Sequence, residues 1–208
     1  MQTGTPAPSF VAYAYIPYTK ERVKVNMDDF IGQYTVLIFY PGDFGPLVLA
    51  ELMGFQEAAK ELLENVYSLA ISTDTLESHK AFAELKKEEG GLQGLNENII
   101  LVEDKTGDIS RKYQVYDVAT HQAFPTYIII CDEGKVVASI TNDHNMGGNP
   151  HEVIRILNAC MTCDKEEAWT QMKGTPSGWQ PGMELVTGVM EEENDAADVN
   201  EEKQDNTS

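Results

Sequence analysis

Positive charge is scarce in this chain: 15 lysine and arginine residues face 34 aspartate and glutamate residues, for a formal net charge of −19 over 208 residues. So few cations cannot neutralise a run of phosphates, which argues against nucleic acid as a partner. Cysteine is scarce too. Three thiols, an odd number in a chain this long, do not make the disulfide framework of a secreted protein and fit a reducing cytoplasm better. Long apolar runs are missing altogether. Nowhere do about 18 uninterrupted apolar residues occur, the length a membrane span needs. The opening Met-Gln-Thr-Gly-Thr-Pro-Ala-Pro lacks the basic and then apolar order of a secretory leader. These absences give the expectation of a soluble, intracellular protein with no membrane partner.

The length suits one compact domain with extensions, large enough to bury roughly 70% of the surface its unfolded chain exposes. Residues 191–208 carry eight acidic side chains against the single cation Lys203 and almost no apolar ones, so they read as a solvated, disordered tail. That tail holds −7 of the charge and leaves −12 on the body. The expected division is a folded domain over 1–165, a C-terminal arm over 166–190 and the acidic tail.

Residues rich in β-branched and aromatic side chains at 34–40, 67–73, 124–131 and 135–141 predict strands, several apolar on both faces and therefore part of a covered sheet. Helical spacing appears between them. Val48, Leu52, Phe55, Ala59 and Leu62 recur at three and four residues opposite Glu57, Lys60, Glu61 and Glu64. A second helix is predicted over 76–87, and a third behind Pro150 through Ile154, Leu157 and Met161. The order βαβα, then a hairpin through Asp132-Glu133-Gly134, then α, predicts an α/β protein of thioredoxin-like fold with a mixed central sheet covered by helices.

Residues 39–55 read Phe-Tyr-Pro-Gly-Asp-Phe-Gly-Pro-Leu-Val-Leu-Ala-Glu-Leu-Met-Gly-Phe. This segment resembles the active-site segment of the typical two-cysteine peroxiredoxins, Pro-x-x-x-Thr-x-x-Cys at the mouth of a helix. Ser78-His79-Lys80-Ala81-Phe82, Gly90-Gly91-Leu92, Asn142-Asp143 with Gly147, and Pro176-Ser177-Gly178-Trp179-Gln180-Pro181-Gly182 are similar to further motifs of that family. The matches run at family spacing over most of the body.

The resemblance implies a set of replacements. Pro41 is kept, but Gly45 stands at the threonine position, Val48 at the peroxide-reducing thiol, Pro125 at the arginine and Thr175 at the resolving cysteine. Losing the arginine's charge-assisted hydrogen bond costs about 1.5–3 kcal/mol and slows an enzyme. Valine at the nucleophile position differs in kind, because a saturated hydrocarbon has no lone pair with which to attack oxygen. The expectation is a chain that is not an enzyme and needs no cofactor.

The remaining thiols are the other route to chemistry. Cys160-Met161-Thr162-Cys163 has the spacing of a redox pair, but it falls where a helix closes, and the negative end of the dipole there disfavours a thiolate. Cys160 and Cys131 read as small core residues. Two cysteines without a second spaced pair make half a zinc site at most. His144 and His151 flank a Gly-Gly loop that reads as a solvated turn, His79 reads as a packed, hydrogen-bonded side chain, and Glu51 reads as a first-turn acid near the helix dipole.

What is kept serves shape. Phe44, Trp169, Pro176, Trp179 and Pro181 are candidate interface residues, since an aromatic on a long arm can anchor a partner. The resemblance implies a homodimer, with a ring of five dimers, mixed assembly with active relatives, or a larger structure as further states. Two classes of function follow: an oligomeric scaffold or interaction subunit, and a thiol peroxidase or oxidoreductase working through Cys131 or the Cys160/Cys163 pair. A holdase chaperone is a third.

Overall fold

The computed structural model describes residues 1–62, 66–96 and 98–188. The acidic tail, the end of the expected arm and Glu64 lie outside them.

The chain begins with a hairpin of β1 (Val11–Ile16) and β2 (Glu21–Asn26), then runs through β3 (Thr35–Phe39), α1 (Pro46–Ala58), β4 (Tyr67–Ser72), α2 (Leu76–Glu84), β5 (Ile99–Glu103) and the short α3 (Asp108–Lys112). A small ribbon of β6 (Tyr116–Asp117) and β7 (Gln122–Ala123) leads into the hairpin β8 (Thr126–Ile130) and β9 (Val136–Thr141), followed by α4 (Pro150–Lys165) and the ribbon β10 (Lys173–Gly174) with β11 (Val186–Thr187). Seven strands form one mixed sheet in the order β2-β1-β5-β4-β3-β8-β9. β3 pairs in parallel with β4 and antiparallel with β8.

The strands predicted from apolar runs are present as β3, β4, β8 and β9. Every residue of β3 and β8 is buried, which requires cover on both faces. Alternation divides the cover. Val36, Ile38, Tyr40, Ala70 and Ile129 face α1, α2 and α4, while Leu37, Phe39, Leu69, Ile71 and Ile128 face α3 and the N-terminal segment around Phe10. Burying each such aliphatic side chain contributes about 1.5–3 kcal/mol.

β1, β2 and β5 are additions to the predicted set. The predicted helices are present, the first two with earlier ends and the third running on to Lys165. α1 stops at Ala58 and tightens into a 3-10 turn over Ala59–Glu61. α2 stops at Glu84 because Leu85 turns extended and the chain folds back, with the Leu92 N–H donating to the Phe82 carbonyl and the Gln93 N–H to that of Leu85. That return brings Leu92 into the core.

Gly91 sits in the crook of the return, where an added Cβ would overlap the Leu85 carbonyl, whereas at the left-handed Gly90 a Cβ would meet open space. We therefore expect Gly91→Ala to destabilise by more than the roughly 1–2 kcal/mol of left-handed strain expected of Gly90→Ala. Urea unfolding midpoints of the two variants check the order.

Candidate active site

The turn from β3 into α1 runs over the carboxyl end of the parallel strands, where open α/β sheets hold their sites. It is fixed from below by a buried polar network. The Asp43 and His79 side chains are wholly buried, with Nδ1 at 3.0 Å from the carboxylate. His79 Nε2 lies 3.2 Å from the Val102 carbonyl, a pure acceptor, so Nε2 carries a hydrogen. Tyr40 donates its hydroxyl to Asp43 at 2.9 Å. Burial first, and then the Asp43 charge, push the tyrosine pKa well above its ordinary value and keep that proton on oxygen. The Asp43 N–H and the Ser72 hydroxyl both donate to Asp74, each at 2.8 Å. His79 is thus the packed, hydrogen-bonded side chain the sequence predicted.

α1 opens on Gly45 as its N-cap, with no side chain supplying a capping bond, and proline in its first turn. Val48 is only 4% exposed and belongs to the core. Above it lies an open cavity of about 270 Å³ lined by Pro41, Gly42, Asp43, Gly45, Leu47, Val48, Gln122 and His144. The cavity brings Pro41, Gly45 and Val48 together as the sequence placed them. Pro125 is buried just before β8 and is absent from the lining. Thr175 lies away on the arm, where its N–H donates to the Cys163 sulfur.

Two residues read from the sequence differ from expectation. Glu51 is not a first-turn acid: it is buried one turn further into α1 and its carboxylate accepts the Gly148 N–H. His144 is not solvated. Its ring stacks on Phe124 at 4.6 Å and Nε2 lies 3.0 Å from Asp117, with side-chain exposure of 22%. His151 instead faces Glu61 at an exposed position, and no group of three or more metal-ligating side chains is found among the described residues. Asp117 and Gln122 are site residues that reading along the chain missed. The only local signal is the Asx turn in which Asp117 accepts from the Ala119 N–H and the Thr120 hydroxyl.

The three thiols sit at the other end of the sheet. Thr126 pairs with Phe39 and Ile130 with Thr35, so Cys131, just past β8, is about 17 Å along the strand from the cavity end. Cys160 packs against the core and donates to Asp164 at 3.5 Å. Burial, and then the Asp164 charge, push its thiol pKa far up. Burial also raises that of Cys163. Of the interface candidates, Phe44 is half exposed and rests against Phe82, Trp169 is 93% exposed, and Pro176 and Pro181 lie on the arm. Trp179 is 1% exposed within its own chain, its indole N–H donating to the Met183 carbonyl.

A seven-stranded mixed sheet covered by helices, with α1 opening after a Pro-containing turn, matches the thioredoxin-like fold of the peroxiredoxins. The sequence profile of the AhpC/TSA family matches residues 3–139, and the chain belongs to that family. It is similar to peroxiredoxin prdx-2 of Caenorhabditis elegans, 34% identical over 90% of both chains, and to a thioredoxin peroxidase of Echinococcus granulosus, 33% identical over 86% of this chain and 89% of that one. Among solved structures it is similar to the reduced 2-Cys peroxiredoxin of Plasmodium vivax, with a TM-score of 0.79 and 27% identity over 89% of this chain and 92% of that one. It is also similar to AhpC of Enterococcus faecalis, with a TM-score of 0.70 and 26% identity over 79% and 95%.

These relatives correct one expectation. Peroxiredoxins and thioredoxin peroxidases are enzymes, so the inference from the replacements at Val48, Gly45, Pro125 and Thr175 to a chain that is no enzyme does not stand. The narrower observation holds: the residue at the first turn of α1 is a hydrocarbon.

Two outcomes follow. Desolvation raises the Glu51 pKa, so the folded state holds that proton more tightly than the unfolded chain, and burying the charge costs stability above the folded pKa. The cost is relieved as pH falls through that pKa. Glu51→Gln should therefore stabilise the protein at neutral pH, with a gain that shrinks under acid, measured by denaturant midpoints across pH. Val48→Cys should place a thiol near the positive end of α1. It should become the first of four thiols to form sulfenic acid under stoichiometric hydrogen peroxide, read by trapping and mass spectrometry.

Proposed function

We propose that the chain works as an assembling interaction subunit of the peroxiredoxin family, joining copies of itself or cysteine-bearing relatives through its C-terminal arm. The observation that carries this reading is Trp169, 93% exposed, with Met172 and Met183 about half exposed on the same arm. A large aromatic left in water on an arm that otherwise folds back on its own chain is a strong anchor for a partner surface. The outer edge of β9 adds a second contact: Gly4 and Thr5 cover it at Val136, and beyond that point the partly buried Val137, Ala138 and Ile140 belong to the last strand of the sheet. Among the described residues no helix is long and apolar enough to cross a membrane, and three free cysteines suit a reducing compartment; the cytoplasm is the proposed location.

Thiol chemistry in this chain passes through Cys131, Cys160 or Cys163, and the buried setting of Cys160 disfavours its thiolate. Assembly is therefore the reading the geometry favours over a redox pair on α4.

Light scattering and native mass spectrometry at micromolar concentration test the proposal. A dimer or larger species is expected, and Trp169→Ala should weaken it by about thirtyfold, the size of a hot-spot loss near 2 kcal/mol. A chain that stays monomeric and captures no relative from a mixture of peroxiredoxins would overturn it.

A further inference from the structure

Charge is unevenly placed along this chain. Residues 1–26 carry three cations and one acid, net +2, whereas residues 27–208 carry net −21. The three cations, Lys20, Arg22 and Lys24, are exposed on the β1–β2 hairpin. Lys60, Arg111, Lys135 and Arg155 are matched by Glu57, Asp108, Glu133 and Glu152. Arg22 meets Glu77 at 3.1 Å in an exposed pair, but among the described residues Lys20 and Lys24 have no carboxylate at ion-pair distance.

Apolar surface accompanies the charge. Tyr13, 59% exposed, lies opposite Lys24 across the hairpin, and Tyr18, 63% exposed, stands in its turn two residues before Lys20. β2 is the first strand of the sheet, with β1 its one neighbour. Lysine on such an edge guards against stray pairing, but a guarded edge has no need of two exposed tyrosines beside it.

The chain itself holds the complement. Residues 189–208, beyond the described arm, carry eight acids against Lys203, with Ala196, Ala197 and Val199 among them. Reach is ample: those 20 residues extend to about 65 Å, and seven strands about 4.8 Å apart span about 29 Å. The arm is tied to α4, where Arg155 donates to the Trp179 carbonyl and the Thr175 N–H to the Cys163 sulfur, so the tail has length to spare for a path over the helices to β2. Single exposed ion pairs are weak, but a tethered segment acts at an effective concentration of the order of millimolar, at which several weak pairs suffice for occupancy.

We propose that the acidic C-terminal segment docks in cis on the β1–β2 hairpin, with the carboxylates of residues 191–198 against Lys20, Arg22 and Lys24 and the small apolar residues among them on Tyr13 and Tyr18. Asp28 and Asp29, just past β2, repel the segment at that end and keep it toward the turn. The inference is independent of assembly through Trp169 or β9, since β2 is the edge of the sheet opposite β9.

Amide NMR spectra of the full chain test it with two variants. The first combines Glu191→Gln, Glu192→Gln, Glu193→Gln, Asp195→Asn and Asp198→Asn, and it should shift the signals of Tyr13, Tyr18, Lys20 and Lys24 while leaving those of β9 in place. The second combines Lys20→Glu and Lys24→Glu, and it should shift the signals of Ala196, Ala197 and Val199. Raising salt from 0.1 M, where charges are screened over about 10 Å, to 1 M, where the length is about 3 Å, should bring the unaltered chain toward the hairpin positions of the first variant. All of these shifts should be independent of protein concentration. Hairpin signals unmoved in the first variant, tail signals unmoved in the second, or shifts that disappear on dilution of the protein, the mark of a tail docked on a second copy, would overturn the proposal.

Discussion

The turn between β3 and α1 depends on a carboxylate and an imidazole that meet at 3.0 Å out of reach of water. Asp43 and His79 come from different crossovers of the fold, and neither side chain is exposed. Breaking such a pair from one side leaves an uncompensated buried group, a loss of several kcal/mol. Because Asp43 also donates its backbone N–H to Asp74 and accepts from Tyr40, the pair fixes Pro41 on one side of it and Phe44 on the other. The left-handed φ of 61° at Phe44 is strain that this network can hold. The mouth of α1 and the cavity above it are therefore set by polar chemistry one layer below the residue that lacks any.

A valine at that mouth is consistent with the rest of the lining. The first turn of α1 contains no acidic residue and no side-chain cap, so its first N–H groups have no resident carboxylate from their own turn. Glu51 shows a related adjustment one turn on. It is buried without a cation, and Gly148 supplies a backbone N–H instead. Only glycine suits that place, since a Cβ on residue 148 would overlap the Tyr127 ring. The loop before α4 and the second turn of α1 are thus locked by one hydrogen bond and one close approach.

The parts of this structure legible in the sequence are those that a single segment encodes. β3 and β8 announce themselves as short runs apolar on both faces, and α4 as a periodic stripe behind Pro150 with Asn149 capping it. β2 is masked by Glu21, Arg22 and Lys24, charged residues set around Val23 and Val25 on an edge strand, whereas β1 carries in Val-Ala-Tyr-Ala-Tyr-Ile a strand pattern that was legible and is absent from the predicted set. β5 is five residues long and lies close to a loop rich in Gly and Asn, which masks its pattern. The His144–Asp117 contact joins residues 27 positions apart, and only the closure of the β8–β9 hairpin beside the β6–β7 ribbon brings them together. Trp179 could not be told from Trp169 along the chain. One is enclosed by its own arm and the other is left in water, a difference made by the Arg155 and Met183 contacts of the folded state.

Charge links the cavity to the surface. With −19 over the chain, the field around the protein lowers the local concentration of anions and raises that of cations. A cavity lined without lysine or arginine does nothing to reverse this for an entering anion, and Asp43 in its lining and Asp117 beside His144 oppose one further. Cations are drawn to the surface but find the Asp43 carboxylate already paired with His79 and sealed from solvent. A neutral guest feels neither effect and exchanges water for Val48 and Leu47 on entry, a gain that scales with the apolar area covered. The same charge balance that argues against nucleic acid on the outside thus disfavours anions at the mouth of α1 as well.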